Sequence, residues 1–165
     1  MNSKLFLDLE ETIIDSWASG LLINTDIIKS WVGRTRQDCE VHIFSFAIWN
    51  DEDKSDFERR FKPVLERVLE VEIVSWPSVE EVMNAVSKHR NFRFESMTEF
   101  IAFEGKVGAL TDFAFASGWE ACLVTLIDDV VPNRMVRDMD RNLTLDFVNV
   151  NSLKDSWFNQ GERNE

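Results

Sequence analysis

Three large apolar residues, Leu5-Phe6-Leu7, run directly into a carboxylate, Asp8, within the first ten positions of the chain. An apolar run this short reads as a buried strand of a parallel sheet. A strand buried on both faces has no interior place for Asp8. The residue therefore belongs at the strand's C-terminal end, the edge at which open α/β sheets bind ligands. Asp8, Glu10 and Thr12 follow at every second position, on one side of the chain if it stays extended. Two carboxylates and a hydroxyl converging on a strand tip suit a divalent cation and a phosphoryl group. A polar turn after a core strand is the plainer alternative.

The rest of the chain repeats the pattern of apolar run and polar tip. Apolar residues on either side of Ala18-Ser19-Gly20 predict a β-hairpin over about 12–23. Asn24 or Thr25 starts a helix to about Gln37, and a strand over 40–45 ends on Ser45. Acidic residues at 51–53 suit a helix start; that helix breaks near Pro63 and resumes to about Glu70. A strand over 71–76 precedes Pro77, and Ser78 with Glu81 forms a capping box for a helix to about Lys88. Residues 88–94 read as a basic loop or edge segment, with Phe92 and Phe94 on one buried strand face. Base stacking on those rings is the sharper alternative. Ser96 and Glu99 cap a short helix ending before Gly105, and Lys106 opens another to about Ser117. The strand at 119–127 ends on Asp128-Asp129. A short helix begins at 131–133, a last strand covers 143–150, and the final dozen residues read as a frayed polar tail. Strands alternating with helices predict a Rossmann-like three-layer α/β/α sandwich with a mainly parallel sheet, as a single domain over 1–165. Asp8, Ser45, Asp128 and Asp129 then share one sheet edge.

Composition narrows the classes. At 44% apolar residues, with 13 Phe and 6 Trp, the chain fills a core instead of remaining disordered. A net charge of −12 disfavours nucleic acid and anionic membrane as partners, without excluding a local basic patch. Cys39 and Cys122 lie outside any CxxC and read as reduced thiols in a cytoplasmic protein. No apolar run approaches the roughly 20 residues of a membrane span, and no signal peptide is expected. His42 and His89 lack zinc spacing, and His42 reads as a sheet-face histidine.

Taken together in chain order, these strand tips resemble the motifs of the haloacid dehalogenase superfamily of phosphohydrolases. Asp8-Leu9-Glu10-Glu11-Thr12 stands for its first motif, Ser45 for its second, Lys106 for its helix-start lysine and Asp128-Asp129 for its closing acidic pair. The stretch over 7–14 is similar to the first motif of the carboxy-terminal-domain phosphatase branch. The resemblance implies a nucleophilic Asp8 that forms an aspartyl-phosphate. It implies Mg2+ held among Asp8, residue 10, Asp128 and Asp129, with Ser45 and Thr12 toward the phosphate. Lys106 supplies positive charge, with Lys88 and Arg90 as substitutes. In the family the second acid of the first motif is Asp, the proton donor; here it is Glu10, one methylene longer. That difference leaves open a catalytically weak relative with a binding or regulatory role. The implied flap is the hairpin at 12–23, there is no large cap, and 88–104 leaves room for a small insertion. An open site favours a bulky or macromolecular phosphoester. Asp8, Glu10 and Thr12 also satisfy the D-x-E-x-T pattern of two-metal exonucleases, a lesser alternative that expects antiparallel strands directly after the motif.

Overall fold

A computed structural model describes residues 2–35 and 38–161 of the chain. Its first strand, β1 (Asn2–Leu7), sends Leu5 and Leu7 to one side and Phe6 to the other, and all three are buried. A strand apolar on both faces needs cover on both. The chain provides it with α1 (Thr25–Thr35), β2 (Cys39–Ile43), α2 (Asp51–Arg60), α3 (Lys62–Leu69), β3 (Ile73–Ser75), α4 (Val79–Arg90), α5 (Met97–Ala116), β4 (Cys122–Asp128), β5 (Arg134–Asp138), β6 (Leu143–Asn149) and α6 (Val150–Gly161). One core packs Phe6, Val124, Leu126 and Leu145 of the sheet against Val82 and Val86 of α4 and Leu110 and Ala114 of α5. The other packs Leu5, Leu7, Ile43 and Ile127 against Ile28 of α1 and Leu65 and Leu69 of α3.

The sheet order is β3-β2-β1-β4-β6-β5. Every neighbouring pair is parallel except β5 with β6, so the sheet is mixed but mostly parallel, and the architecture is compatible with a Rossmann-like fold. β1 lies at the centre, and Leu7 registers with Ile43 on one side and Ile127 on the other. The residues that follow these three strands therefore emerge together on one edge.

Several expected elements take a different form. Residues 12–23 make no strands; the segment is a loop closed by an isolated Ile14–Leu22 bridge and the Ile23 N–H bond to the Ile13 carbonyl. The expected helix end at Gln37 lies outside the described residues. Residues 88–90 are the last turn of α4, closed by Asn91 in the left-handed region, so no edge strand forms there. Phe94 is buried on Phe100 while Phe92 is exposed, which breaks the expected common face. The Ser78–Glu81 capping box is present. At Ser96 only half of one forms, because the Glu99 carboxylate accepts from the Glu95 amide instead. The two helices expected on either side of Gly105 are joined into α5 with a sharp kink at that glycine (φ 59°, ψ −175°). Where a short helix was expected from 131–133, the chain turns into β5 and pairs antiparallel with β6. The tail up to Gly161 is helical, and α6 lays Val150 in the second core. Cys39 and Cys122 form no disulfide. Among the described residues no helix is long and apolar enough to cross a membrane.

Candidate functional site

The tip of β1 is held from three directions. The Asp8 amide donates to the Ile127 carbonyl, extending the ladder to β4, and the Phe44 amide donates to the Leu7 carbonyl from the β2 side. Beyond Asp8 the chain cannot continue as a strand, because the Leu9 carbonyl gathers the amides of Thr12, Ile13 and Ile14 into a tight turn. Glu11 takes a left-handed conformation (φ 58°) within that turn. Leu9, Ile13 and Ile14 anchor it in the second core. The turn sends Thr12 back toward Asp8 and leaves Glu11 exposed.

Asp128 ends β4 beside Asp8 and is fully buried. One of its oxygens accepts from the Val130 and Val131 amides at 2.7 and 3.1 Å, and the other from Lys106 Nζ at 2.6 Å. Lys106 Nζ is also 2.7 Å from Asp8 Oδ1, so one ammonium bridges the two carboxylates. The kink at Gly105 starts a fresh helical segment with Lys106 as its first residue. The Phe46 ring lies 5.2 Å from the ammonium. Asp8 Oδ2 lies 3.4 Å from the Thr12 hydroxyl, and Asp129 Oδ1 lies 3.5 Å from the same hydroxyl. That group has a single proton to donate, so at least one of these oxygens is left wanting. Asn149, at the end of β6, clamps the acid-bearing loop by donating to the Asp129 and Val131 carbonyls, both at 2.9 Å.

The electrostatics follow from this crowding. Burial pushes the Asp8 carboxyl up to about 6; Lys106 opposes the rise and Asp128 adds to it. Asp129 is also raised, first by burial and then by Asp128 and Glu11. Burial works against the charge on Lys106, yet Asp8 and Asp128 together outweigh it and hold the ammonium above its ordinary range. One lysine thus faces three carboxylates whose oxygens lie within 4.8 Å of one another. Such a surplus of negative charge is relieved by a cation. The donors are hard carboxylate oxygens from Asp8, Asp128 and Asp129, a set that could hold a metal ion. Asp128 already accepts from two amides and the lysine, so Asp8 Oδ2 and Asp129 Oδ1 are the less committed oxygens.

A cavity of about 400 Å³ opens over these groups, and Asp8, Glu10, Ser45, Lys106 and Asp129 all line it. Of the residues singled out from sequence, Lys106 joins Asp8 to Asp128, Thr12 lies between Asp8 and Asp129, and Ser45 and Glu10 share the cavity wall. Ser45 sits two residues beyond β2, buried, with its oxygen accepting from the Ala47 amide at 3.2 Å and its proton left to donate. The Glu10 carboxylate is turned to the loop, where it accepts from the Trp17 amide at 2.7 Å, and it is not one of the three clustered acids. Lys88 and Arg90 do not reach this cavity; Arg90 binds Glu104 and Asp112 at 2.5 and 3.2 Å. The grip of the Val130 and Val131 amides on Asp128 was not anticipated, although Asp followed by a polar turn is a recognisable signal for it. Phe46 and Asn149 carried no such signal. A larger cavity of about 650 Å³, walled by Trp76, Phe113 and Trp119, lies away from the acids.

Fold and site together define an α/β protein with an acidic, lysine-bridged cluster at the C-terminal edge of a mostly parallel sheet. Comparison with protein-family models, with curated proteins and with solved structures found no match in any of the three.

Proposed function

We propose that the chain is a Mg2+-dependent phosphohydrolase of the haloacid dehalogenase type, acting through an aspartyl-phosphate on Asp8. The observation that carries the reading is the Lys106 bridge between Asp8 and Asp128 at adjacent strand tips, with Ser45 on the same cavity. Asp8, Ser45, Lys106 and the Asp128-Asp129 pair, far apart in the sequence, lie around this one cavity or in contact with its wall, which supports the reading. Asp8 attacks phosphorus through a carboxylate oxygen, and the bond from phosphorus to the leaving oxygen breaks. Lys106 holds Asp8 in place and offsets the charge that builds on the phosphoryl oxygens, and Ser45 donates its free proton to one of them. Glu10 gives a proton to the departing alkoxide. It then takes one from the water that cleaves the aspartyl-phosphate, so that inorganic phosphate leaves and Asp8 is restored. Asp8 and Asp129, beside the first-motif turn, would hold Mg2+, which would supply Lewis acidity and offset repulsion between carboxylate and phosphate.

Hydrolysis of p-nitrophenyl phosphate with Mg2+ tests the proposal. The wild type turns over, Asp8→Asn loses on the order of 10³-fold or more, and chelation abolishes the rate. Equal rates for wild type and Asp8→Asn would end the reading. One observation favours a weak or non-catalytic relative instead: the Glu10 carboxylate is engaged by the Trp17 amide. A wild-type rate indistinguishable from buffer, with Mg2+ still bound, is the outcome that reading expects. The exonuclease alternative loses support because the strand after the motif, β2, runs parallel to β1.

A further inference from the structure

The two edges of the sheet are built differently. At one, β3 is three residues long, its register with β2 is interrupted, and Pro77 follows, so little backbone is left to recruit another strand. At the other, β5 pairs with β6 in unbroken register along its whole length and carries neither proline nor bulge. Among the described residues β6 is its one substantial neighbour, which leaves the outer row of its backbone groups open. Charged side chains ordinarily blunt such an edge. Here they are disposed symmetrically about Val136, with Arg134 two residues before it and Asp138 two residues after, all on one face. Among the described residues the Arg134 side chain makes no ion pair or hydrogen bond. Asp138 is likewise in no ion pair, and one of its oxygens accepts from the Arg141 amide at 3.0 Å. On the other face Met135 is 51% exposed beside Arg137.

We propose that β5 is a self-complementary edge to which a second copy of this chain adds its own β5, antiparallel, across a two-fold axis through Val136. An axis perpendicular to the sheet keeps each face on its own side, so a residue meets one an even number of positions away. With Val136 on the axis, Arg134 faces Asp138 of the partner subunit and Asp138 faces the partner subunit's Arg134. On the other face Met135 meets the partner's Arg137, whose aliphatic stem lies along the thioether. An axis through Arg137 would set two guanidiniums against each other, and one through Met135 would leave Asp138 without a cation. Charge thus selects a single register. The pairing joins two six-stranded sheets into one and satisfies the open backbone row. Because the axis reverses strand direction, the two strand-tip cavities open on opposite edges and neither completes the other. Association through β5 is therefore independent of the chemistry at the strand tips. So short an edge supports a reversible dimer, with a Kd on the order of 10–100 µM.

Sedimentation equilibrium of the full chain at physiological salt measures the association, with circular dichroism checking that each variant folds. The wild type is expected to dimerise reversibly. Arg134→Asp sets two carboxylates against each other at both ends of the paired strands, and Asp138→Arg sets two guanidiniums there. Each variant alone is expected to be monomeric. Mixed in equal amounts they are expected to form a heterodimer, because every facing pair is again opposite in charge. Met135, being exposed, gives a second pair of variants that does not disturb the fold. Met135→Glu faces the partner's Arg137 and is expected to tighten the dimer about threefold or more, although it adds to the net negative charge; Met135→Lys is expected to weaken it. A wild type that stays monomeric to about 200 µM overturns the proposal. So does a dimer indifferent to Arg134→Asp, or a mixture of the two folded charge-reversal variants that remains monomeric. If Asp138→Arg fails to fold, the opposite responses of the two Met135 variants decide, and equal responses overturn the pairing.

Discussion

Both oxygens of Asp128 are occupied, by two backbone amides and by Lys106, whereas the neighbouring Asp129 has a 3.5 Å contact to the Thr12 hydroxyl and a second acid, Glu11, against it. The two acids should therefore respond oppositely to amidation. Asp128→Asn sets an amide against a buried ammonium and is expected to cost about 3 kcal/mol in urea unfolding. Asp129→Asn removes a crowded charge, so stability stays within about 0.5 kcal/mol while Mg2+ affinity falls in titration calorimetry. At Glu10, the carbonyl of a glutamine still accepts from the Trp17 amide but has no proton to exchange. Glu10→Gln is thus expected to keep the loop and lose on the order of 10²-fold in turnover of p-nitrophenyl phosphate. Asp8 and the 128–129 pair were legible because an apolar run cannot absorb a carboxylate and must expel it at a tip. The engagement of Glu10 was not legible, since it depends on where a turn places an amide seven positions away.

Elements were readable in proportion to how much of their surface is buried. The central strands announce themselves by continuous apolar runs, and α4 by a capping box that forms as expected. β5 was missed because Arg134, Met135, Val136, Arg137 and Asp138 form an edge strand, largely exposed, with no apolar run to betray it. The loop at 12–23 was read as a hairpin, but its backbone is spent on the Leu9 turn and on Asp15, leaving one bridge where a ladder was expected. Gly105 was read as a helix break, and its backbone explains why. At φ 59° and ψ −175° it occupies a region open to almost no other residue. A methyl group there meets no atom within 4 Å, so Gly105→Ala is penalised by the backbone alone. The expected cost is about 1–3 kcal/mol in urea unfolding, with a fall in turnover as Lys106 is displaced from Asp8.

For the molecule as a whole, one contribution to the pH dependence of folding comes from a histidine away from the strand-tip acids. His42 stacks on Phe6 with ring centroids 4.7 Å apart, bonds Ser75 through Nδ1, and lies beside Glu40 and Lys4. Burial first, and then Lys4, lower its pKa to about 4 against the contrary pull of Glu40. Above pH 6.5 both folded and unfolded chains carry it neutral and its contribution is flat. Between 6.5 and 4 the unfolded chain takes up a proton that the folded one refuses. The stability that His42 contributes is therefore lost as pH falls through that window, on the order of 3 kcal/mol in full. Between pH 7 and pH 4.5 the urea midpoint of the wild type should therefore shift downward relative to that of His42→Gln, the difference between the two isolating the histidine. The clamp by which Asn149 grips the Asp129 and Val131 carbonyls has a consequence of its own. It hands the C-terminal helix a share in the acidic loop, so ion uptake at one end and helix docking at the other become reciprocal. Amide hydrogens of α6 should exchange more slowly once the strand tips are filled, although no atom of that helix need approach the guest.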